Sequence, residues 1–457
     1  MSNAAAGATE VVATFVARPR AASPHTGALA RTLVDTVAVA IAGLATEETE
    51  LLLDWLVEER APGPATVWGS DLTLAPSQAA LVNGMAAHVL DWDDAVPGIP
   101  FHPGAVMIPA LLAQLAVEDA PGERLVAAYD VGQAVSRAVS EVLPISDHYG
   151  RGWHNTSTTG RLAGTAAVAH LAGLDVDHTR HALGLIASTA AGSLANFGTM
   201  TKSLHAGMAA RDAVMAVSLA RRGFTANTTQ LEDRRGFFRM YGETTPELLA
   251  TLGERLDRWE SAWVDDWALK RYPSCYATHR AIDGALELRD QIDDPAQVTA
   301  ITVSQPYAPT SPLLDLLPDT GLEGKFSLQY TVARAVASGR VELADFTDER
   351  VQDPGVRRLF DLIEIDNRHA EIVGAGGGHT SVTIRLADGR ELRSDVAVTF
   401  GDSRRPISDD QVTEKFTSAL TAVGWKPAAT AALAERLWSA PAQGPLGWLQ
   451  DALRARS

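Results

Sequence analysis

Residues 150–175 read GRGWHNTSTTGRLAGTAAVAHLAGLD. From Leu162 onward, Leu162, Ala166, His170 and Leu174 fall at helical spacing, on one face of a 3.6-residue period. The other faces hold Ala, Gly and Thr in place of charge. A helix with no polar face is one packed inside a bundle. Ahead of it stand Arg151, His154 and a run of Asn and hydroxyl residues. Free N–H groups at a helix start, with hydroxyls nearby, make a carboxylate site. The same Ser and Thr residues serve equally as helix caps, and a lone histidine such as His154 reads as a satisfied core residue as readily as a catalyst.

The same texture extends from Ala28 to about Trp267, as in Leu33–Val37–Ile41–Leu44, punctuated by turns such as Ala61-Pro-Gly-Pro64 and Pro121-Gly122. It changes after Trp267. Thr299–Val303 and Ser381–Arg385 alternate apolar and polar residues and predict strands. A turn at Ala387–Arg390 leads to a third strand over Glu391–Val398, while Gly324–Ala337 and Thr347–Leu362 look helical. Helical patterning returns from Asp409 through Leu453. The predicted fold is mainly α: a large all-α helical domain over residues 1–267, a smaller α+β lid domain over 268–402, and C-terminal helices over 403–457 that return to the helical domain. A length of 457 residues suits two or three domains.

The formal charge of −17 sets the whole molecule against nucleic acid and anionic membranes, so a small anion needs a local cluster of Lys, Arg and His. Cys275 is the single cysteine, which rules out an internal disulfide and a Cys-rich zinc site. The start, MSNAAAGATE, lacks the basic and apolar regions of a signal peptide. The apolar runs Leu33–Leu44 and Ala105–Val117 are too short to span a bilayer. A cytoplasmic protein is expected.

Three further segments crowd ionisable residues into apolar sequence. NGMAAHVLDWDDAVPGIPFHPG, residues 83–104, places His88 and Asp91 three apart, at a spacing that shares a helix face. Asp93, Asp94 and His102 follow, and an acid beside a histidine holds its tautomer and raises its pKa. GTMTKSLHAGMAAR, residues 198–211, sets Lys202 three before His205. A lysine in an apolar helix end needs an anion or must snorkel to water. KRYPSCYATH, residues 270–279, brings Lys270, Cys275 and His279 together at the proposed domain boundary, where clefts form. Alone, Cys275 reads as a small buried apolar residue. No HExxH helix, Walker loop, strand-anchored GxGxxG or GxSxG elbow occurs, and the glycine run Gly374–Thr380 reads as a loop. The remaining groups suit proton transfer next to a carboxylate, with cations stabilising enolate-like charge.

These segments resemble the MmgE/PrpD family, which includes 2-methylcitrate dehydratase, cis-aconitate decarboxylase and iminodisuccinate epimerase. The matching stretches are LVDTVAVAIAGL, SQAALVNGMAAHVLDWDD, HPGAVMIPALLA, residues 150–175, MTKSLHAGMAARDAVMA, KRYPSCYATHRAID and GKFSLQYTVARAV. They occur in family order. The resemblance implies a homodimer, an active site between the two domains, and no metal or organic cofactor. It places active-site residues on Asp91, His102, His154 and Lys202, with Lys270 from the lid side, and makes Arg151, His205 and Tyr330 neighbours in the cleft. Two positions depart from the decarboxylase pattern. Ala95 replaces a hydroxyl, and Cys275 stands where that branch has a histidine, with His279 a helical turn later.

The leading expectation is a lyase, by dehydration or decarboxylation, of a di- or tricarboxylic acid. Asp91 would orient a histidine or assist proton transfer in it. An epimerase of a dicarboxylate is the second, with Cys275 or Lys270 facing His154 or Lys202 across one carbon. A Mg²⁺–diphosphate site on DWDD lacks the DDxxD spacing, and a catalytically dead scaffold is opposed by the retained histidines and lysines.

Overall fold

A computed structural model describes residues 6–59, 61–305, 312–314, 316–366 and 378–454. Most of the Gly374–Thr380 run lies outside the described residues. Among the described residues thirteen α-helices lie in the N-terminal part, the first ten being α1 (Ala8–Ala17), α2 (Thr26–Gly43), α3 (Glu47–Glu59), α4 (Pro76–Val89), α5 (Pro103–Leu115), α6 (Gly122–Val142), α7 (Ile145–Gly150), α8 (Asn155–Leu171), α9 (Val176–Thr189) and α10 (Thr201–Arg221). Prolines at the first position start α4 and α5, where the missing N–H costs nothing. A short ribbon, β1 (Ala65–Thr66) and β2 (Thr73–Leu74), precedes α4.

Small residues explain how the bundle closes. Gly84 on α4 and Gly207 on α10 meet at the helix crossing, and Gly164 on α8 packs against Val106 of α5 and Ala213 of α10. A side chain at Gly207 would collide with the Leu81 carbonyl oxygen and crowd Met85. With no bulk at the crossings the backbones approach closely, and α4, α5, α8 and α10 form one buried layer. The longest apolar helix, α2, has 18 residues, so it exceeds the apolar run read from sequence, but 78% of it is buried inside the protein.

The second hydrophobic core runs from Tyr272 to Leu386. Its sheet has the order β4–β3–β5–β6, with β3 (Val298–Ser304), β4 (Ile363–Asp366), β5 (Thr380–Leu386) and β6 (Glu391–Val396). β3 and β4 are parallel, and the other pairs are antiparallel. Gly389, at φ +88°, makes the β5–β6 turn. Helices His279–Arg289 and Leu328–Ser338 cover the sheet. Each region predicted helical between the strands is split: Gly321–Gly324 from Leu328–Ser338, and Asp348–Val351 from Pro354–Phe360. Ser327 and Asp353 cap the second helix of each pair, and Pro354 starts the last.

Helices Asp409–Ala422 and Pro427–Ser439 pack back into the first core. The chain leaves the helical domain along residues 268–271 and re-enters it along 399–403. These two strips pair through Ala268 and Asp402, and Leu269 donates to the Gly401 carbonyl at 3.0 Å. Ala95 joins the same seam, exchanging backbone hydrogen bonds of 2.8 and 2.9 Å with Ala268. Behind it, Lys415 pairs with buried Asp35 at 2.6 Å and donates to the carbonyls of Trp92 at 2.6 Å and Lys270 at 3.0 Å.

Because the Leu81 carbonyl is backbone and cannot rotate away, Gly207→Val is expected to destabilise the protein by about 1–3 kcal/mol, read as a lowered thermal midpoint. An unchanged midpoint would mean that α4 and α10 cross with slack.

Candidate active site

Four helix ends converge at one end of the bundle. His88 sits on the last turn of α4, His102 and His154 are the N-cap residues of α5 and α8, and Lys202 lies in the first turn of α10. Three of these are N-termini, whose partial positive charge favours an anion. The His88 ring lies 4.7 Å from that of His102 and 6.1 Å from that of His154, and His205 is 5.3 Å beyond His154.

The DWDD loop organises them. α4 ends at Val89, and Asp91 takes a left-handed φ of +52°, the only positive φ outside glycine among the described residues. Aspartate tolerates that region better than most residues. The turn overturns the expectation that His88 and Asp91 share a helix face. It brings Asp93 back under His88 instead, with Nδ1 to Oδ2 at 2.8 Å. Asp91 points to the lysines: it pairs with Lys202 through Oδ1 and with Lys270 through Oδ2, the latter at 3.1 Å. Lys270 also donates to the Asp91 carbonyl at 3.0 Å. The histidine-orienting acid is therefore Asp93 and not Asp91. Asp94 accepts from the Gly104 N–H at 2.7 Å and the Trp267 indole at 3.0 Å, and so fixes the start of α5.

These bonds assign the tautomers. His102 Nδ1 lies 2.8 Å from the Asp94 carbonyl, which can only accept, and 3.4 Å from Asp93. His88 Nδ1 faces the Asp93 carboxylate. Both rings thus carry their proton on Nδ1 and leave Nε2 as the free lone pair. His88 Nε2 has no hydrogen-bond partner among the described residues. His154 and His205 share one hydrogen bond, Nδ1 to Nδ1 at 3.1 Å, so they cannot both donate.

Burial dominates the electrostatics. It lowers the pKa of His88, with Lys202 adding to it. It holds His102 and His154 well below the usual imidazole range and brings His205 to about 4. Burial resists ionisation of Asp91, but Lys202 and Lys270 overcome it and keep the carboxyl well below its usual range. For Asp93, His88 and His102 do the same. Burial raises Asp94 to about 7 against the hydrogen bonds from Trp267 and Gly104, with Asp93 and Asp35 adding to the rise. Burial opposes charge on Lys270, yet Asp91 and Asp93 raise its pKa.

The enclosed space beside these groups is about 10 Å³, lined by His88, Asp91, Lys202, Thr199, Lys325 and Phe326 among others. That is room for roughly one water, so a substrate must part the walls to enter. Phe197 and Phe326 flank Lys202, with ring centroids 5.4 and 4.9 Å from Nζ.

The other predicted residues are spread more widely. Cys275 is buried near Asp91 and Lys270, and burial pushes its thiol up to about 11, with Asp91 adding to it. His279 holds the Ser274 carbonyl at 3.2 Å, and burial takes its pKa down to about 3. Arg151 lies on the surface, paired with Asp147 at 2.9 Å and Glu243 at 3.2 Å. Tyr330 is inside the small-domain core, its hydroxyl on the Asp345 carbonyl and its ring against Phe346 and Phe360. It faces inward because Ser327 starts its helix, leaving Lys325 and Phe326 just before it to face the site. Sequence reading missed Lys325, Phe326, Phe197 and the buried Tyr149, whose pKa is raised by burial and by nearby Cys275 and Asp91. Lys325 had a signal: it is a lysine within the apolar stretch GKFSLQY.

The ligand atoms of His88, Asp91 and His102 lie within 4.8 Å of one another, close enough to hold a metal ion. The donor set fits poorly. Asp91 already balances two ammonium groups, and a divalent cation there would stand beside both.

The model of the MmgE/PrpD N-terminal domain matches residues 10–248, and that of the C-terminal domain matches residues 272–440. Among curated proteins, the chain is 27% identical over 403 residues to cis-aconitate decarboxylase of Mus musculus, covering 84% of this chain and 80% of that one. Against the Homo sapiens protein of the same name the identity is 26%, covering 84% and 81%. Against that of Aspergillus terreus it is 24%, covering 84% and 82%.

An unfolded chain binds protons near pH 6.5 that the buried histidines refuse when folded. Stability is therefore complete above that pH and falls as pH drops toward the lowered folded values, at about 1.4 kcal/mol per pH unit for each fully buried ring. Melting curves from pH 7.5 to 5.5 should show a steeper decline for wild type than for His154→Gln. Equal slopes would mean that His154 titrates alike in the folded and unfolded chain, and a shallower wild-type decline that it is charged when folded.

Proposed function

The chain belongs to the MmgE/PrpD family, and on that footing we propose that it is a lyase removing a carboxyl group as carbon dioxide from a small polycarboxylic acid of the cis-aconitate type. The relatives named above are decarboxylases of that acid. The observation that carries the reading is the pairing of two locked histidines, each with a free Nε2 lone pair, with two lysines on one buried carboxylate.

A polycarboxylate entering this space brings negative charge beside rings that burial has kept neutral. Its charge raises their proton affinity, so binding draws a proton from solvent onto the histidine group. The leaving carboxylate departs as CO₂ and its bonding electrons stay on carbon, spread into the neighbouring unsaturation. Lys202 and Lys270 stabilise that charge in a water-poor space, and a protonated histidine returns its proton to carbon. The sum is R–COO⁻ plus H⁺ giving R–H plus CO₂.

The epimerase alternative needs two bases on opposite faces of one carbon. Lys202 and Lys270 instead share Asp91, and the Cys275 thiol at about 11 is a poor source of thiolate. The charge balance at Asp91 supports a reaction free of metal, and the family resemblance one free of an organic cofactor. The family resemblance supports a homodimer, and the single cysteine a cytoplasmic place.

Incubation with cis-aconitate in D₂O and EDTA, followed by NMR, is expected to show CO₂ loss with one deuterium per product. His154→Gln and Lys202→Met should each lose roughly 10²–10⁴-fold in kcat while melting cooperatively. Loss of water from citrate or 2-methylcitrate would make the chain a dehydratase. Deuterium exchange without CO₂ or water loss would make it an epimerase, and wild-type turnover in both variants would remove the site assignment.

A further inference from the structure

Lys325 stands apart from the other buried lysines around the site. Lys202, Lys270 and Lys415 each have a carboxylate within ion-pair distance. Lys325 is 5% exposed, and its ammonium makes one hydrogen bond, to the Val89 carbonyl at 3.2 Å, with no ion pair among the described residues. It belongs to the small domain but reaches the last residue of α4, next to His88, and lines the same cavity as His88, Asp91 and Lys202. Asp91 and Glu48 are its nearest sources of negative charge, and both act on it only at longer range. A buried ammonium without a counter-ion is costly unless an anion is meant to arrive.

We propose that Lys325 binds the substrate's outer carboxylate, the one held neither by Lys202 nor lost as CO₂, and so selects acids with three carboxylates over acids with two. This rests on the polycarboxylate reading above and adds which residue measures the acid's length. Burial brings Lys325 down to about 8 despite Asp91 and Glu48, so a bound carboxylate would favour the charged form that burial opposes. Because Lys325 comes from the small domain while Lys202 and the histidines come from the bundle, a tricarboxylate bridges the two domains.

The rival role is purely structural, with Lys325 capping the free carbonyl end of α4. Calorimetric binding of tricarballylate and glutarate to full-length wild type, Lys325→Met, Lys325→Gln and Lys325→Arg separates the two. Lys325→Gln keeps a donor for Val89 and serves if the methionine variant folds poorly. The expected result is tricarballylate affinity weakened roughly ten- to hundredfold without the charge. Glutarate should change by less than about threefold, arginine should rescue part of the loss, and the melting point should be equal or higher once the unpaired charge is gone. Equal losses for both acids, or no loss for either, overturn the proposal and leave the lyase reading to its own turnover test. Lysine-dependent tricarballylate binding without turnover of any acid keeps the anion site and removes the lyase reading. A wild type that does not bind tricarballylate overturns the Lys325 site.

Discussion

The arrangement depends on one buried carboxylate held between two ammonium groups. Asp91 is reached by Lys202 from the first turn of α10 and by Lys270 from the strip that leads into the small domain. At that depth an unpaired charge costs several kcal/mol to desolvate, and opposite charges in contact offset that cost for one another. The pairing fixes two distant parts of the chain to one point. The left-handed turn at Asp91 makes this possible, because continuing α4 would have sent the carboxylate elsewhere. The same turn sets Asp93 beneath the histidines and Asp94 on the start of α5, so three successive acids do three different jobs.

Local and global electrostatics run in opposite directions. The molecule carries −17, yet three helix N-termini gather beside the Asp91 pair, and two buried lysines, Lys202 and Lys325, line the small space next to it. The acids inside are already committed to lysines and histidines. What remains is a set of imidazoles that burial has stripped of charge. Such groups weaken the fold in acid, and they are also the groups able to accept a proton when an anion arrives. The stability lost and the reactivity gained come from the same desolvation.

Much of this was legible in the sequence. Small-residue helices, the change of texture after Trp267 and the return of helix near Asp409 all follow from periodicity and side-chain size, which are local properties. The residues themselves showed only ionisable groups crowded into four apolar stretches, and it was the family resemblance that grouped Asp91, His102, His154, Lys202 and Lys270 in one site. The partner of each was not visible. Helical spacing put Asp91 beside His88, but one residue of positive φ reassigned that role to Asp93. Tyr330 and Arg151 sat in the right stretches, yet one faces the small-domain core and the other the surface. Lys325 was overlooked because its importance lies in what it lacks, an anion, and sequence does not display missing contacts.

The bundle's last helices are encoded after the small domain, and Lys415 on one of them props up the carbonyls of Trp92 and Lys270. During synthesis the small domain's residues leave the ribosome as one continuous block and are able to fold at once. The larger domain must wait, its core unclosed and its lysine-bearing strip unsupported, until residues beyond 409 have emerged. A nascent chain that has reached only the small domain therefore holds every histidine of the site without Lys415 to back the carbonyls of Trp92 and Lys270.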